Sequence, residues 1–256
     1  GWLTSPMRVV KAIVQSLSVL RKVKPSSVLG MGGFVAGPGG VGAKLLGIPL
    51  IIHEQNAKAG LTNKLLSKLA QRVLCGFPHV EGLGKRCAWV GNPVRKFTNK
   101  SKAKKLSARV PRVLITGGSQ GALKINQMMP EAFALMLSSE VQVPKIWHQT
   151  GENRADDVAK AYQDAGIKAR VDEFIVDMEE AFNWADLVVA RAGAMTVTEI
   201  SAAGLPSVLI PFPHAVGDHQ TANASYLSAA GAALLCQEPD TSAADMAKTL
   251  SGLLQN

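Results

Sequence analysis

The sequence predicts an α/β protein of two Rossmann-like domains, each a doubly wound parallel sheet flanked by helices. Three observations carry this. From Arg112 onward, short apolar runs alternate with helix-length stretches, giving six βα units. Two glycine-rich stretches, 31–40 (MGGFVAGPGG) and 117–121 (GGSQG), each follow a short apolar run of strand type. The charge is also divided. Residues 1–110 hold nineteen Lys and Arg against two acids, Glu54 and Glu81, while 111–256 hold nine against seventeen. Halves of opposite sign suit two domains with different partners. The domains are placed at 1–96 and 111–256. Residues 97–110, rich in Lys and poor in apolar side chains, form a basic linker.

In the first half, Ser5 and Pro6 are start signals for a helix over 6–23. Val10, Ile13, Val14, Leu17 and Leu20 share one face of it, and Arg8, Lys11, Arg21, Lys22 and Lys24 surround that face. Two readings fit: a helix packed on a sheet, or an element lying on a membrane surface. Strand 27–30 runs into the loop 31–40 and a helix to Leu46. Strand 48–52 follows, with His53, Glu54, Gln55 and Asn56 at its end, the edge where open α/β sheets bind ligands. His53 and Glu54 are candidate catalytic groups there, and structural caps are the alternative. A helix over 59–70 and strands 72–75 and 88–90 complete the half. Cys75, Cys87 and Cys236 have no metal-like spacing and predict neither a disulfide framework nor a zinc site, which fits a reducing cytoplasm. The basic excess calls for an anionic partner. Nucleic acid is set aside, because aromatic residues do not interleave with the cations and no helix-turn-helix or RNP-type pattern occurs.

In the second half, strand 113–116 leads into Gly117, Gly118 and Gly121, with Ser119 as N-cap of a helix over 122–137. Loop amides and helix dipole converge there on one spot. It is either a phosphate site or a tight βα turn. Strands 144–148, 169–174, 186–190, 207–211 and 233–236 alternate with helices 152–165, 178–184, 195–203, 218–230 and 242–254. After strand 186–190, the amides of Ala194, Met195 and Thr196 open a helix and suit a phosphate. Glu199, one turn on, can accept both hydroxyls of a ribose. Residues 174–178 offer backbone and an apolar surface to a flat base. His214, Asp218, His219 and Gln220 suit sugar hydroxyls, and the spacing argues against zinc. Together these features imply a nucleotide-sugar donor.

HEQN (53–56), AGLTNK (59–64), GNPVR (91–95), GGSQGA (117–122), HQTG (148–151), TVTEISAAGLPSVLIPFPHAV (196–216) and DHQTANA (218–224) resemble, in order and along essentially the whole chain, the MurG family. These are bacterial N-acetylglucosaminyltransferases of peptidoglycan synthesis that convert lipid I into lipid II. The resemblance implies a GT-B fold, with UDP-GlcNAc in the C-terminal domain and the acceptor, undecaprenyl-diphosphate-linked muramyl-pentapeptide, at the N-terminal one. It places Ile175 at uracil and Glu199 at ribose. Ser119, Arg95 and the amides of Ala194, Met195 and Thr196 fall at the diphosphate, and Val197 and Thr198 are further substrate-binding positions. Asn56 and Gln220 fall near the sugar, and His53 and Glu54 on the acceptor side. No metal or other cofactor is implied, and the transfer inverts the anomeric carbon. Arg8, Val9, Lys11 and Ile13 fall on a face toward anionic lipid, at the cytoplasmic side of the inner membrane. The family's first strand, its GGTGGH loop with the usual candidate base, and its closing helices are not matched, so the N-terminal domain is expected to be incomplete. Two other readings share these features: a donor-binding module that transfers nothing, and a UDP-GlcNAc epimerase of the same architecture.

Overall fold

Strands in this chain are short, apolar and each joined to the next through a crossover, and every ladder between the described strands is parallel. The computed structural model describes residues 5–94, 109–118 and 120–255. Arg95, Ser119 and the expected linker up to residue 108 lie outside the described residues. The chain forms two units, Gly1–Pro93 with Val216–Ala222, and Val94–Ala215 with Asn223–Asn256.

In the first unit α1 (Ser5–Val23), β1 (Val28–Gly30), α2 (Gly33–Leu45), β2 (Leu50–Glu54), α3 (Leu61–Leu66), β3 (Arg72–Cys75) and β4 (Cys87–Trp89) follow one another. The sheet order is β1-β2-β3-β4. The stretch 31–40, expected as a loop, is helical from Gly33 onward, with Pro38 inside α2. Packing explains this outcome against poor propensity. A Cβ on Gly40 would lie 2.7 Å from Leu66 Cδ2, and one on Gly42 would lie 3.2 Å from Leu20 Cδ1. The glycines let α3 and α1 approach the α2 backbone, and tertiary contact overrides helix propensity. On α1, Val10 and Val14 are 60% and 59% exposed, whereas Ile13, Leu17 and Leu20 are half-buried. The apolar stripe is wider than one helix neighbour can cover.

Cys75 and Cys87 lie diagonally on the adjacent strands β3 and β4, with Cα atoms 5.9 Å apart. Spacing along the chain carries no information about which strands become neighbours, so this proximity is invisible in the sequence.

The second unit holds β5 (Arg112–Thr116), α4 (Leu123–Ser138), β6 (Lys145–Gln149), α5 (Ala155–Asp164), β7 (Ala169–Asp172), α6 (Met178–Trp184), β8 (Leu187–Ala190), α7 (Ala194–Ala203), β9 (Ser207–Leu209), most of α8 (His219–Ala229), β10 (Ala233–Leu235) and α9 (Ala243–Gln255); the first residues of α8, His219–Ala222, group with the first unit. Its sheet order is β10-β9-β8-β5-β6-β7. Val113, Ile115, Met129, Phe133, Val189 and Ile210 are all fully buried in one core. Each aliphatic side chain of that kind contributes about 1.5–3 kcal/mol by leaving water. The entry to β5 is clamped: Arg109 donates to both carboxylate oxygens of Asp186, which also accepts from Arg112 N at 2.9 Å. Arg109, at the end of the expected linker, is thus bound into this unit.

Candidate active site

In the second unit the sheet is built outward from β5 in both directions: β6 and β7 on one side, then β8, β9 and β10 on the other. The loops leaving β5 and β8 therefore emerge side by side, with Arg191 N donating to Thr116 O at 3.3 Å. In an open parallel sheet the ligand crevice forms at such a reversal. At the β8 loop, Gly193 is the extended N-cap of α7 and brings no side chain to cap it. The first helical bond is Val197 N to Gly193 O at 2.9 Å. The amides of Ala194, Met195 and Thr196 stand ahead of that ladder, at the positive end of the helix dipole. Glu199 follows Met195 and Thr196 by four and three residues and so lies on their side of the helix. Two neighbours fit a ligand contact less well. Val197 is fully buried with its amide already committed, and the Thr198 hydroxyl donates back to Ala194 O at 2.8 Å.

The glycine loop beside it is held from behind by buried polar side chains. Thr116 Oγ1 accepts from Gly118 N at 3.2 Å, and Gln149 Nε2 donates to Gly118 O at 3.0 Å. Gly121 has φ +69°, and a Cβ there would fall 2.0 Å from Thr150 O. The Thr150 carbonyl accepts in turn from Asn126 Nδ2 at 2.9 Å. Asn126 Oδ1 can only accept, so His148 Nε2 carries the proton at 3.2 Å, and His148 Nδ1 accepts from the Tyr162 hydroxyl at 3.0 Å. Burial lowers the His148 pKa to about 3 and raises that of Tyr162. The imidazole is a neutral strut. The cap of α4, expected at Ser119, falls to Ala122.

Ile175 sits in the loop after β7, and Gln149 Nε2 also reaches Glu173 O of that loop at 3.4 Å. One amide thus links the expected base-binding and phosphate-binding loops. Ile175 itself is 5% exposed, so it offers backbone to a ligand, while Phe174 and Val176 stand out beside it. Gln220 is half-buried in the first turn of α8. Sequence reasoning missed Arg191, whose buried guanidinium pairs with Glu238 and donates to Ile210 O and Pro211 O, both at 3.1 Å. It also missed Asn223, fully buried, which donates to Ala192 O at 3.1 Å. Both tie the approach to α7 to the elements that follow. The available signal was a polar residue closing an apolar strand run, as Arg191 closes LVVA.

In the first unit, β2 runs two residues further than expected, so His53 and Glu54 end the strand itself. The Glu54 carboxylate is 2% exposed. It accepts from Asn56 N at 3.0 Å, Asn56 Nδ2 at 3.2 Å, Gly60 N at 3.2 Å and Asn63 Nδ2 at 2.8 Å. Both oxygens of Glu54, expected as a catalytic group, thus accept from Asn56, Gly60 and Asn63, so the carboxylate organises this turn and presents Asn56. His53 differs. The Gly91 carbonyl accepts from its Nε2 at 2.9 Å, which leaves Nδ1 as a buried lone pair without a partner. On α1, Arg8, Val9 and Lys11 are exposed and Ile13 is half-buried. Among the described residues no helix is long and apolar enough to cross a membrane, and no three His, Cys, Asp or Glu side chains gather to hold a metal.

The glycosyltransferase family 28 C-terminal domain matches residues 112–256, and the N-terminal domain of the same family matches residues 1–75. A Pseudomonas fluorescens protein described as UDP-N-acetylglucosamine–N-acetylmuramyl-(pentapeptide) pyrophosphoryl-undecaprenol N-acetylglucosamine transferase is 49% identical over 98% of the chain, which spans 70% of that relative. A crystal structure of Acinetobacter baumannii MurG superposes with a TM-score of 0.80 at 38% identity, covering 98% of this chain and 74% of the other. A putative UDP-N-acetylglucosamine 2-epimerase from Listeria monocytogenes shares the fold, with a TM-score of 0.69 at 16% identity over 97% of this chain and 71% of its own.

Proposed function

Because the chain belongs to glycosyltransferase family 28, we propose that it moves N-acetylglucosamine from UDP-GlcNAc to undecaprenyl-diphosphate-linked MurNAc-pentapeptide in peptidoglycan synthesis. The near half-identity to transferases of that name carries the reading, and the start of α7 beside the glycine loop supports it physically. In this reading the diphosphate lies on the amides of Ala194, Met195 and Thr196, aided by Arg95 and Ser119. Glu199 accepts the ribose hydroxyls, the backbone at Ile175 meets uracil, and Asn56 and Gln220 contact the sugar. The helix end stabilises charge growing on the departing UDP without a metal. The acceptor hydroxyl attacks the anomeric carbon, which inverts. His53 is the candidate to draw off the proton, since its Nδ1 lone pair is uncommitted. Glu54 is a positioning residue. The exposed cations and valines of α1 support peripheral attachment to anionic lipid at the cytoplasmic face of the inner membrane.

Calorimetric titration of the chain with UDP-GlcNAc, with UDP-GalNAc as control, tests this. Saturable binding selective for GlcNAc and weakened by about tenfold or more in Glu199→Ala is the expected result. Absence of binding by a cooperatively folded chain overturns it.

A further inference from the structure

Helix α5 opens on a residue that suits it poorly. Arg154 is its N-cap and makes no side-chain cap hydrogen bond. Good N-caps offer an oxygen to the first helical amides, whereas a guanidinium has only donors. Its charge also stands at the positive end of the helix dipole, which Asp156 and Asp157 in the first turn offset. An N-cap that fails its own helix points to a role outside it.

That role lies at the neighbouring loop. β5 and β6 are adjacent, so the turn 150–154 after β6 emerges beside the glycine loop after β5. The turn is fixed from below: Gly151 N donates to Glu173 O at 3.0 Å, and Asn153 N donates to Glu173 Oε1 at 2.8 Å. It packs so closely on the loop that a Cβ on Gly151 would lie 2.7 Å from Gly121 Cα. From this platform Arg154 Nη1 donates to Gln120 O at 3.2 Å. Gln120 belongs to the turn that Gly121 N closes on Gly118 O at 2.9 Å. Thr116 and Gln149 hold Gly118 from behind, and Arg154 holds the same turn at its exposed residue.

Charge singles out the same side chain. Arg191, at the end of β8, pairs with Glu238, and Lys124, in the first turn of α4, shares a hollow with Glu238, Asp240 and Asp245. Arg154 pairs with no acid among the described residues and spends one of its five N–H groups on Gln120. The others remain at the lip of the loop, where an oxyanion is the complement. We propose that Arg154 is a positioning residue for the donor's diphosphate: it fixes the Gln120 carbonyl, keeps the glycine turn set for the phosphates and holds a positive charge beside them. This deepens the reading above, on which it rests: UDP-GlcNAc must bind at this loop.

Arg154→Asn is the informative variant. It removes the guanidinium and gives α5 a residue type that N-caps favour. Wild type, Arg154→Asn and Arg154→Lys are titrated calorimetrically with UDP and unfolded in urea, and uridine binding is followed by ligand-observed NMR. Arg154→Asn is expected to bind UDP about tenfold more weakly, with uridine binding unchanged and a urea midpoint at or above that of wild type. Arg154→Lys keeps the charge and a donor but not the planar fork, and is expected to fall between the two. A parallel loss of UDP binding, uridine binding and stability overturns the proposal, because Arg154 would then only support the fold. Full UDP affinity in Arg154→Asn sinks this proposal alone and leaves the transferase reading standing. Wild type that binds neither UDP nor UDP-GlcNAc sinks that reading, and this one with it.

Discussion

His148 makes the second unit sensitive to mild acid. The imidazole is buried between Asn126 and Tyr162, and its pKa in the folded protein is lowered to about 3. In the unfolded chain it is about 6.5. Between those values the unfolded chain binds a proton that the native state refuses. Stability is therefore complete above about pH 6.5 and falls as pH drops, by about 1.4 kcal/mol per pH unit, until the folded pKa is reached. At pH 5 the loss from this group is about 2 kcal/mol. Urea unfolding at pH 7.5, 6 and 5, in wild type and His148→Gln, isolates the effect. Gln still donates to Asn126 Oδ1 but does not titrate. The variant is expected to be less stable at pH 7.5, yet to lose about 2 kcal/mol less than wild type on going to pH 5. Carboxylates shared by both proteins cancel in the comparison. Parallel pH profiles, within about 0.5 kcal/mol, would refute a neutral buried imidazole. Because the same network holds Thr150 against Gly121, donor affinity is expected to fall along with stability.

Two further substitutions probe the supports of the two loops. Gly121→Ala places a Cβ at φ +69° against the Thr150 carbonyl, whereas Gly166→Ala meets the same strain at φ +70° with nothing within 4 Å. The strain alone is worth about 1–2 kcal/mol, so urea midpoints should show Gly121→Ala costlier by at least about 1 kcal/mol more; equal costs would mean the close approach is not real. Glu54→Ala strands four donors and is expected to destabilise by about 3 kcal/mol, with Glu54→Gln recovering part of that. Should Glu54→Gln keep full stability and lose all transfer activity, the loop-organising role assigned to Glu54 is wrong and proton transfer returns.

The alternation of apolar runs and glycine stops was enough to place β5 to β10 and their helices in the second half within a few residues, because burial on both faces leaves a strong local pattern. The start of α7 and its glutamate were equally legible, since the residues that make a helix end are neighbours in the chain. Local pattern failed where packing decided. Residues 31–40 look like a loop by composition, and only contact with Leu66 and Leu20 makes them helical. Glu54 is legible in the sequence only as a polar group at a strand end, and the return of Asn56, Gly60 and Asn63 to its carboxylate depends on tertiary contact. The proximity of Cys75 to Cys87 and the meeting of the β5 and β8 loops depend on which strands are adjacent. Sequence alone therefore determined the two-domain α/β class, the family and the open helix end at α7, all of which rest on short-range order. Tertiary structure decided strand order and the buried struts behind the site, because each depends on contacts between residues far apart in the chain, whose distances no spacing encodes.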